Sequence, residues 1–227
     1  MNANFHIMEI ENLWEIIEGK IFFKPLTSNV LQFFTTKIAG DFKNKDLLNN
    51  TLKAYQIKEH QITCANQMHS DNIIVLDEVS TNNKKYTGDG FITTLPNIGL
   101  CIFTADCLPI AIINQDYKKR IIANLHVGRK GTEKKIAQKG VSLIKKIIGE
   151  DLSKLLVLIG PHIRKCCYPV DLTEENIFQL TSSGVEKENI YIYPYCTSCK
   201  KDMFFSYRRD KKEGSNVGNM LSFIMLK

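Results

Sequence analysis

Short apolar runs rich in β-branched and aromatic residues punctuate this chain, each bounded by residues that favour turns. Ile73–Leu76, Phe91–Thr94, Leu100–Thr104, Ile110–Asn114 and Arg120–Leu125 read as strands, separated by breaks such as Gly88-Asp89-Gly90 and Pro96-Asn97. Lys154–Ile159, closed by Gly160-Pro161, predicts a further strand, as do Ile190–Tyr193 and Met220–Leu226. A helical period replaces this pattern in three places. Asp46–Lys58 carries an imperfect apolar face of Leu47, Leu48, Leu52, Tyr55 and Ile57. Gly131–Ile148 is the clearest helix, with Ile136, Gly140, Val141, Ile144, Ile147 and Ile148 on one face, lysines on the other and Gly149 to stop it. Thr173–Leu180 predicts a capped helix with acidic residues in its first turn. The mixture predicts an α/β (α+β) fold, a single domain over residues 1–227 with a large mixed β-sheet flanked by helices.

Composition narrows the class. A hydrophobic fraction of 44% over 227 residues supports a core without staples. The net charge of +6 comes from dispersed lysines, which suits anionic small molecules and argues against a nucleic-acid partner. The acidic N-terminal stretch MNANFHIMEIENLWEIIEGK lacks the basic-then-apolar order of a signal peptide, and no apolar run approaches the roughly 18 residues of a bilayer span. A cytoplasmic, non-membrane protein is the expectation; its oligomeric state is not legible. Seven cysteines, an odd number, also weigh against a full disulfide framework.

Three punctuated segments carry the candidate chemistry: Gln67-Met68-His69-Ser70, Thr104-Ala105-Asp106-Cys107-Leu108-Pro109 and Leu125-His126-Val127-Gly128. Two imidazoles and one thiolate suit zinc with a fourth position open, the mark of a catalytic rather than a structural site. Each residue alone has a plain alternative, a hydrogen-bonded histidine or a packed cysteine. The same residues also support a different chemistry, in which Cys107 is a nucleophile with His126 or His69 as its base. Asp89 and Asp106 are candidates to orient a histidine or to act as acid or base, with a tight turn the competing reading for Asp89. Arg129 and Lys130 follow His126 where a helix is expected to open, a place that favours phosphate; Arg208 and Arg209 suit phosphate or a carboxylate partner equally. Cys196-Thr197-Ser198-Cys199 is a lone Cys-x-x-Cys, and the adjacent pair Cys166-Cys167 is poor geometry for one tetrahedral site, which weighs against a metal there.

Taken together, these motifs resemble the laccase-domain family, long labelled multicopper polyphenol oxidase and associated with purine nucleoside phosphorylase activity. The resemblance rests on Gln67-Met68-His69, Gly88-Asp89-Gly90, Thr104-Ala105-Asp106-Cys107-Leu108-Pro109, His126-Val127-Gly128, Ile159-Gly160-Pro161 and Phe205-Ser206-Tyr207-Arg208-Arg209-Asp210, from about Phe34 to the end. It implies zinc on His69, Cys107 and His126, with copper in an oxidase side activity. It also implies a site binding purine nucleosides and phosphate, to which Gln67, Arg129, Lys130, Arg208 and Arg209 are candidate contacts. The implied reactions are phosphorolysis of adenosine, inosine, guanosine and methylthioadenosine, and adenosine deamination. Alternatives are a metal-independent cysteine hydrolase on Cys107 and His126, or a peptidoglycan-precursor editing or binding protein. Departures are also present: the family's His-Ala-Gly-Trp-Arg-Gly is His126-Val127-Gly128-Arg129-Lys130-Gly131 here, a late Gly-Arg is Gly218-Asn219, and an early arginine position holds Lys37.

Overall fold

The structure is a computed structural model that describes residues 12–26, 29–77 and 85–227. Most of the N-terminal stretch read above for a signal peptide lies outside the described residues. Fourteen strands are present among them. One six-stranded sheet runs in the order β1 (Trp14–Ile17), β2 (Lys20–Phe23), β3 (Val30–Thr35), β14 (Met220–Leu226), β9 (Gly99–Thr104) and β4 (Ile62–Thr63). The other runs β13 (Ile190–Ile192), β12 (Leu155–Ile159), β10 (Leu108–Asn114), β11 (Ile122–Val127), β8 (Gly90–Thr93) and β6 (Ile73–Leu76). A short parallel pair, β5 (Ala65–Asn66) and β7 (Tyr86–Thr87), stands apart. Pairings of both senses occur in each large sheet, antiparallel for β10–β11 and parallel for β12–β13. The mixed α/β architecture read from the sequence is therefore present, its sheet divided in two.

The apolar runs are continuous because both faces of these strands are covered. In β10, Leu108, Ile110 and Ile112 point to one buried cluster and Ala111 and Ile113 to another. In β14, Leu221, Phe223 and Met225 alternate in the same way with Met220, Ile224 and Leu226. The middle cluster fills the space between the two sheets, and each outer face is capped by helices. Helix α1 (Lys45–Lys53) puts Leu48 and Leu52 on the first sheet. Helices α3 (Ile136–Ile148) and α4 (Leu172–Ser182) cover the second, through residues such as Val141, Ile144, Leu172 and Leu180. One polar pin crosses between the sheets: buried Asn124 donates Nδ2–H to the carbonyls of Leu100 and Ser222, and accepts from Ser222 Oγ. No helix among the described residues is long and apolar enough to cross a membrane.

Several boundaries differ from expectation. The first helix ends at Lys53, since Ala54, Tyr55 and Gln56 turn and Gln56 takes φ 62°. The expected helix Gly131–Ile148 is two, α2 (Arg129–Glu133) and α3, broken where Lys135 adopts φ 60°. The corner is fixed by buried polar groups of α4: Gln179 Nε2 donates to the Thr132 carbonyl and Asn176 Nδ2 to Thr132 Oγ1. The break lets α2 keep its start beside His126 while α3 lies along the sheet. Asp171, not Thr173, caps α4, accepting from the Glu174 N–H. The hairpin β1–β2 and strand β3 were not anticipated.

Candidate metal centre and cleft

Period-two alternation places the first residue of the site. In β11, Ala123, Leu125 and Val127 pack toward the helices, so Ile122, Asn124 and His126 face the space between the sheets. His126 stands at the end of that row, where the layers part. Cys107 reaches the same place from the bend between β9 and β10, and His69 from the loop after β5. Ligand atoms of His69, Cys107 and His126 all lie within 4.8 Å of one another. Cys107 Sγ is 3.8 Å from His69 Nε2, and the two imidazoles meet edge to face with centroids 4.7 Å apart.

Asp89 organises the set from behind. Its carboxylate is fully buried and accepts from the backbone N–H groups of Met68, His69 and Ser70 and from Ser70 Oγ. His126 Nδ1–H donates to Asp89 Oδ1 at 2.8 Å, leaving Nε2 for the site. A carboxylate accepts only, so this contact fixes the tautomer. These bonds also hold His69 at φ 56°, a left-handed conformation that needs such support. Burial pushes the Asp89 carboxyl up, but the bonds from His126 and Ser70 outweigh it and hold it well below the usual range. Burial likewise pushes the Cys107 thiol up, and hydrogen bonds to His126 and His69 overcome that and bring it down to about 7. For His126, burial pushes the imidazole down, and Asp89 and Cys107 together raise it to about 9. Protons shared among two imidazoles and a thiol are the ones a soft cation would displace. The donor set therefore fits a zinc ion. Asp89→Asn is expected to weaken zinc binding about 10–100-fold, through the orientation of His126, while circular dichroism shows the fold retained.

Space is as constrained as orientation. A Cβ on Gly128 would lie 2.9 Å from both Cys107 Sγ and His69 Cδ2. Gly128→Ala is thus expected to displace the thiol and lower the bound-metal ratio well below that of the parent chain, readable by elemental analysis.

The three residues sit in a cleft of about 1200 Å³. Lys43, Arg129, Lys130, Arg208, Lys211 and Lys212 line it as cations, with Tyr168, Tyr207 and Phe103 as aromatic surface. A sequence profile of the multi-copper polyphenol oxidoreductase laccase family matches residues 42–173 and 168–227, which brings the whole cleft into the matched region. The chain belongs to this family. A purine nucleoside phosphorylase from Clostridium acetobutylicum is 31% identical over 211 residues, covering 82% of this chain and 84% of that relative. One from Borreliella burgdorferi is 29% identical over 226 residues, covering 88% and 96%. Among solved structures, YlmD from Geobacillus stearothermophilus superposes with a TM-score of 0.82 at 25% identity, covering 95% of this chain and 99% of that one. The hypothetical protein YfiH of Bacillus licheniformis gives 0.85 at 23%, covering 95% and 100%.

Within this laccase-family fold, the candidate contacts divide into two groups. Arg129, Lys130 and Arg208 line the cleft. Arg129 donates to Glu133 at 2.8 Å, and the Arg208 guanidinium lies 5.3 Å over the Tyr168 ring. The polar atoms of the others are engaged by the protein itself. Gln67 lines the cleft, but its amide is paired on both sides with the backbone of Phe103, at 2.8 Å each way. Arg209 donates to the carbonyls of Thr197, Ser198 and Phe204 and pairs with Asp210, and does not line the cleft. Asp106 lines the cleft at φ 95°, yet its oxygens accept from Thr197 Oγ1, Ser206 Oγ and the Arg208 N–H. It pins the start of the short helix Tyr207–Lys212 that carries Arg208. The long helix expected to present an N-terminus to phosphate is the five-residue α2, too short to contribute much of a dipole. Lys37, at the position of a family arginine, donates Nζ–H to the Lys201 carbonyl. Sequence reasoning did not single out Lys43, Tyr168, Lys211 or Lys212: Lys43 lies far from any motif, Tyr168 carries no local signature, and Lys211-Lys212 follow directly on Phe205–Asp210 as an ordinary lysine pair.

Proposed function

We propose that this protein is a zinc-dependent purine nucleoside phosphorylase acting in this cleft. Its substrates in this reading are adenosine, inosine, guanosine and methylthioadenosine, with adenosine deamination as a second activity. The observation that carries the reading is a thiol and two imidazoles gathered within 4.8 Å at the floor of a cation-lined cleft. The names of the relatives supply the substrate class.

In phosphorolysis a phosphate oxygen bonds to C1′ of the ribose as the bond from C1′ to the purine breaks. The bonding pair leaves with the base, and the products are a free purine and ribose 1-phosphate. Lys130 and Arg208, two of the cations that line the cleft, hold the phosphate in this reading. Arg129 shares its charge with Glu133, and Lys43 directs its ammonium to the Val217 carbonyl. Guanidinium supplies paired donors and ammonium a compact charge, so both oxygens and charge of the dianion are addressed. Tyr168 and Tyr207 offer faces for a purine. Held by His69, Cys107 and His126, zinc would supply Lewis acidity at the floor of the cleft. The several coppers of a multicopper oxidase require many more histidines than the five in this chain.

The test is product analysis with adenosine, in the presence and absence of phosphate. Adenine formed only with phosphate supports the reading, and no turnover by folded, zinc-loaded protein overturns it. Lys130→Ala and Arg208→Ala are each expected to raise the KM for phosphate about tenfold, since each removes a charge-assisted contact. A second reading rests on the lowered thiol of Cys107 beside His126: a cysteine hydrolase, which chelation would leave active.

A further inference from the structure

On the far side of Asp106 lies a second cluster of soft ligands. Cys166 and Cys167 sit in the turn that follows Pro161-His162, and Cys196 and Cys199 in the turn after β13. The sulfur atoms of all four lie within 4.8 Å of one another. Cys199 Sγ is 3.5 Å from that of Cys166 and 3.4 Å from that of Cys167. A tetrahedral zinc with bonds of about 2.3 Å requires sulfur–sulfur edges of about 3.8 Å. Both contacts are a few tenths of an ångström shorter than that edge, and side-chain rotation of exposed Cys166 and Cys199 can open them to admit the ion.

Adjacency of Cys166 and Cys167 argued against such a site from sequence. The structure removes the objection, because the turn Arg164–Cys167, closed by the Cys167 N–H on the Arg164 carbonyl, sends both sulfurs toward Cys199. A second, independent feature points the same way. Buried Cys196 receives the backbone N–H of Arg164 at 3.4 Å, and those of Ser198 and Cys199 also point to its sulfur. Amides aimed at a sulfur stabilise a thiolate, the form that binds metal. Arg164, Lys165 and Lys200 flank the four cysteines and would offset the net charge of a metal bound by four thiolates.

We propose that Cys166, Cys167, Cys196 and Cys199 form a second, closed zinc site that buckles together the two turns behind the cleft. Its place in the fold explains what it would hold. Thr197, inside the Cys-x-x-Cys turn, donates to Asp106 Oδ1 at 2.6 Å, and Arg209 grips the carbonyls of Thr197 and Ser198. Cys167 precedes Tyr168, over which Arg208 lies. All four ligands are occupied by protein sulfur, so the ion is structural and takes no substrate.

The experiment is zinc content and zinc X-ray absorption on the full chain, produced with zinc and purified under reductant. Three proteins are compared: the parent, Cys107→Ala, and the double variant Cys166→Ser with Cys199→Ser. The parent is expected to hold two zinc ions per chain. Cys107→Ala keeps one, with sulfur alone in its shell near 2.3 Å. The double variant loses one and keeps an ion with mixed nitrogen and sulfur ligands. A parent with one ion, all-sulfur and lost in the double variant, would uphold this site while removing the metal from the cleft reading. Zinc content unchanged by the double substitution, or a disulfide joining these cysteines in the zinc-supplied, reduced protein, overturns the proposal.

Discussion

Cys107→Ala is expected to be folded, to lack metal at the floor of the cleft, and to have lost phosphorolysis by on the order of a thousandfold or more. The size follows from what the thiol does. It is one of three ligand groups, and a three-ligand set reduced to two imidazoles binds zinc far more weakly. A bound Lewis acid contributes several kcal/mol to a barrier, and each 1.36 kcal/mol is a factor of ten in rate. The fold should tolerate the change. Cys107 is half-buried in a bend, its backbone lies outside the strand ladder, and Asp89 still holds His126 and the His69 loop. Deleting one half-buried sulfur costs about 1 kcal/mol or less. Zinc per chain, circular dichroism and phosphate-dependent adenine release, measured together, decide the matter. Full phosphorolysis by a folded variant with no metal at the cleft would remove zinc from the mechanism and leave the cations of the rim as the catalytic element.

The departures from the family motifs act on that rim rather than on its floor. At the start of α2, Arg129 and Lys130 stand where the family has tryptophan and arginine. The exchange keeps the charge of the second position and loses its paired donors. Arg129 cannot fully replace the missing guanidinium, because Glu133 one turn later already binds it. Asn219 also lines the cleft without a charge, while Lys211 and Lys212 bring charges from α5 (Tyr207–Lys212). Cationic character is thus redistributed around the opening.

What could be read in advance follows a physical division. The buried strands of the second sheet were legible because both faces are covered, so their apolar runs are unbroken. Cys107 and His126 were legible because each stands beside a residue that breaks or crowds the backbone, Pro109 or Gly128. The hairpin β1–β2 went unread, although Glu18-Gly19, both at positive φ, form a two-residue turn between Ile17 and Lys20. Its exposed Glu15, Ile16 and Ile17 give β1 no clean alternation. The break at Lys135 was invisible because its cause lies in α4, at Asn176 and Gln179. The split of the arginine pair, Arg208 to the cleft and Arg209 to the backbone, depends on carbonyls of Thr197 and Ser198, which no local pattern reveals. The Cys-x-x-Cys has no second Cys-x-x-Cys in the sequence; only the paths of two turns bring Cys166 and Cys167 to it.

His162, which no motif singled out, carries the steepest expected pH dependence. It is fully buried beside the cleft wall. Nδ1–H donates to the Gly160 carbonyl at 2.7 Å and Nε2 accepts from Thr173 Oγ1 at 2.7 Å, so the ring is held neutral. Burial is the main cause, and the nearby Arg164 cation adds to it; against the bond to Gly160, they lower the imidazole from 6.5 to about 3. The unfolded chain therefore binds this proton more readily than the folded one, and stability falls as pH falls. The contribution is complete above pH 6.5. It declines by about a factor of ten in the folding equilibrium per pH step down to about 3, on the order of 5 kcal/mol in all. His162→Asn keeps an amide to donate to Gly160 and removes the titration. Urea midpoints of parent and variant, taken at intervals between pH 6.5 and 4.5, should converge as the pH falls, because the parent loses stability that the variant no longer has to lose. Contributions from other carboxylates and from metal release are common to both chains and cancel in the difference. Parallel curves would show that the imidazole is protonated in the folded protein already, with Thr173 serving as acceptor rather than donor.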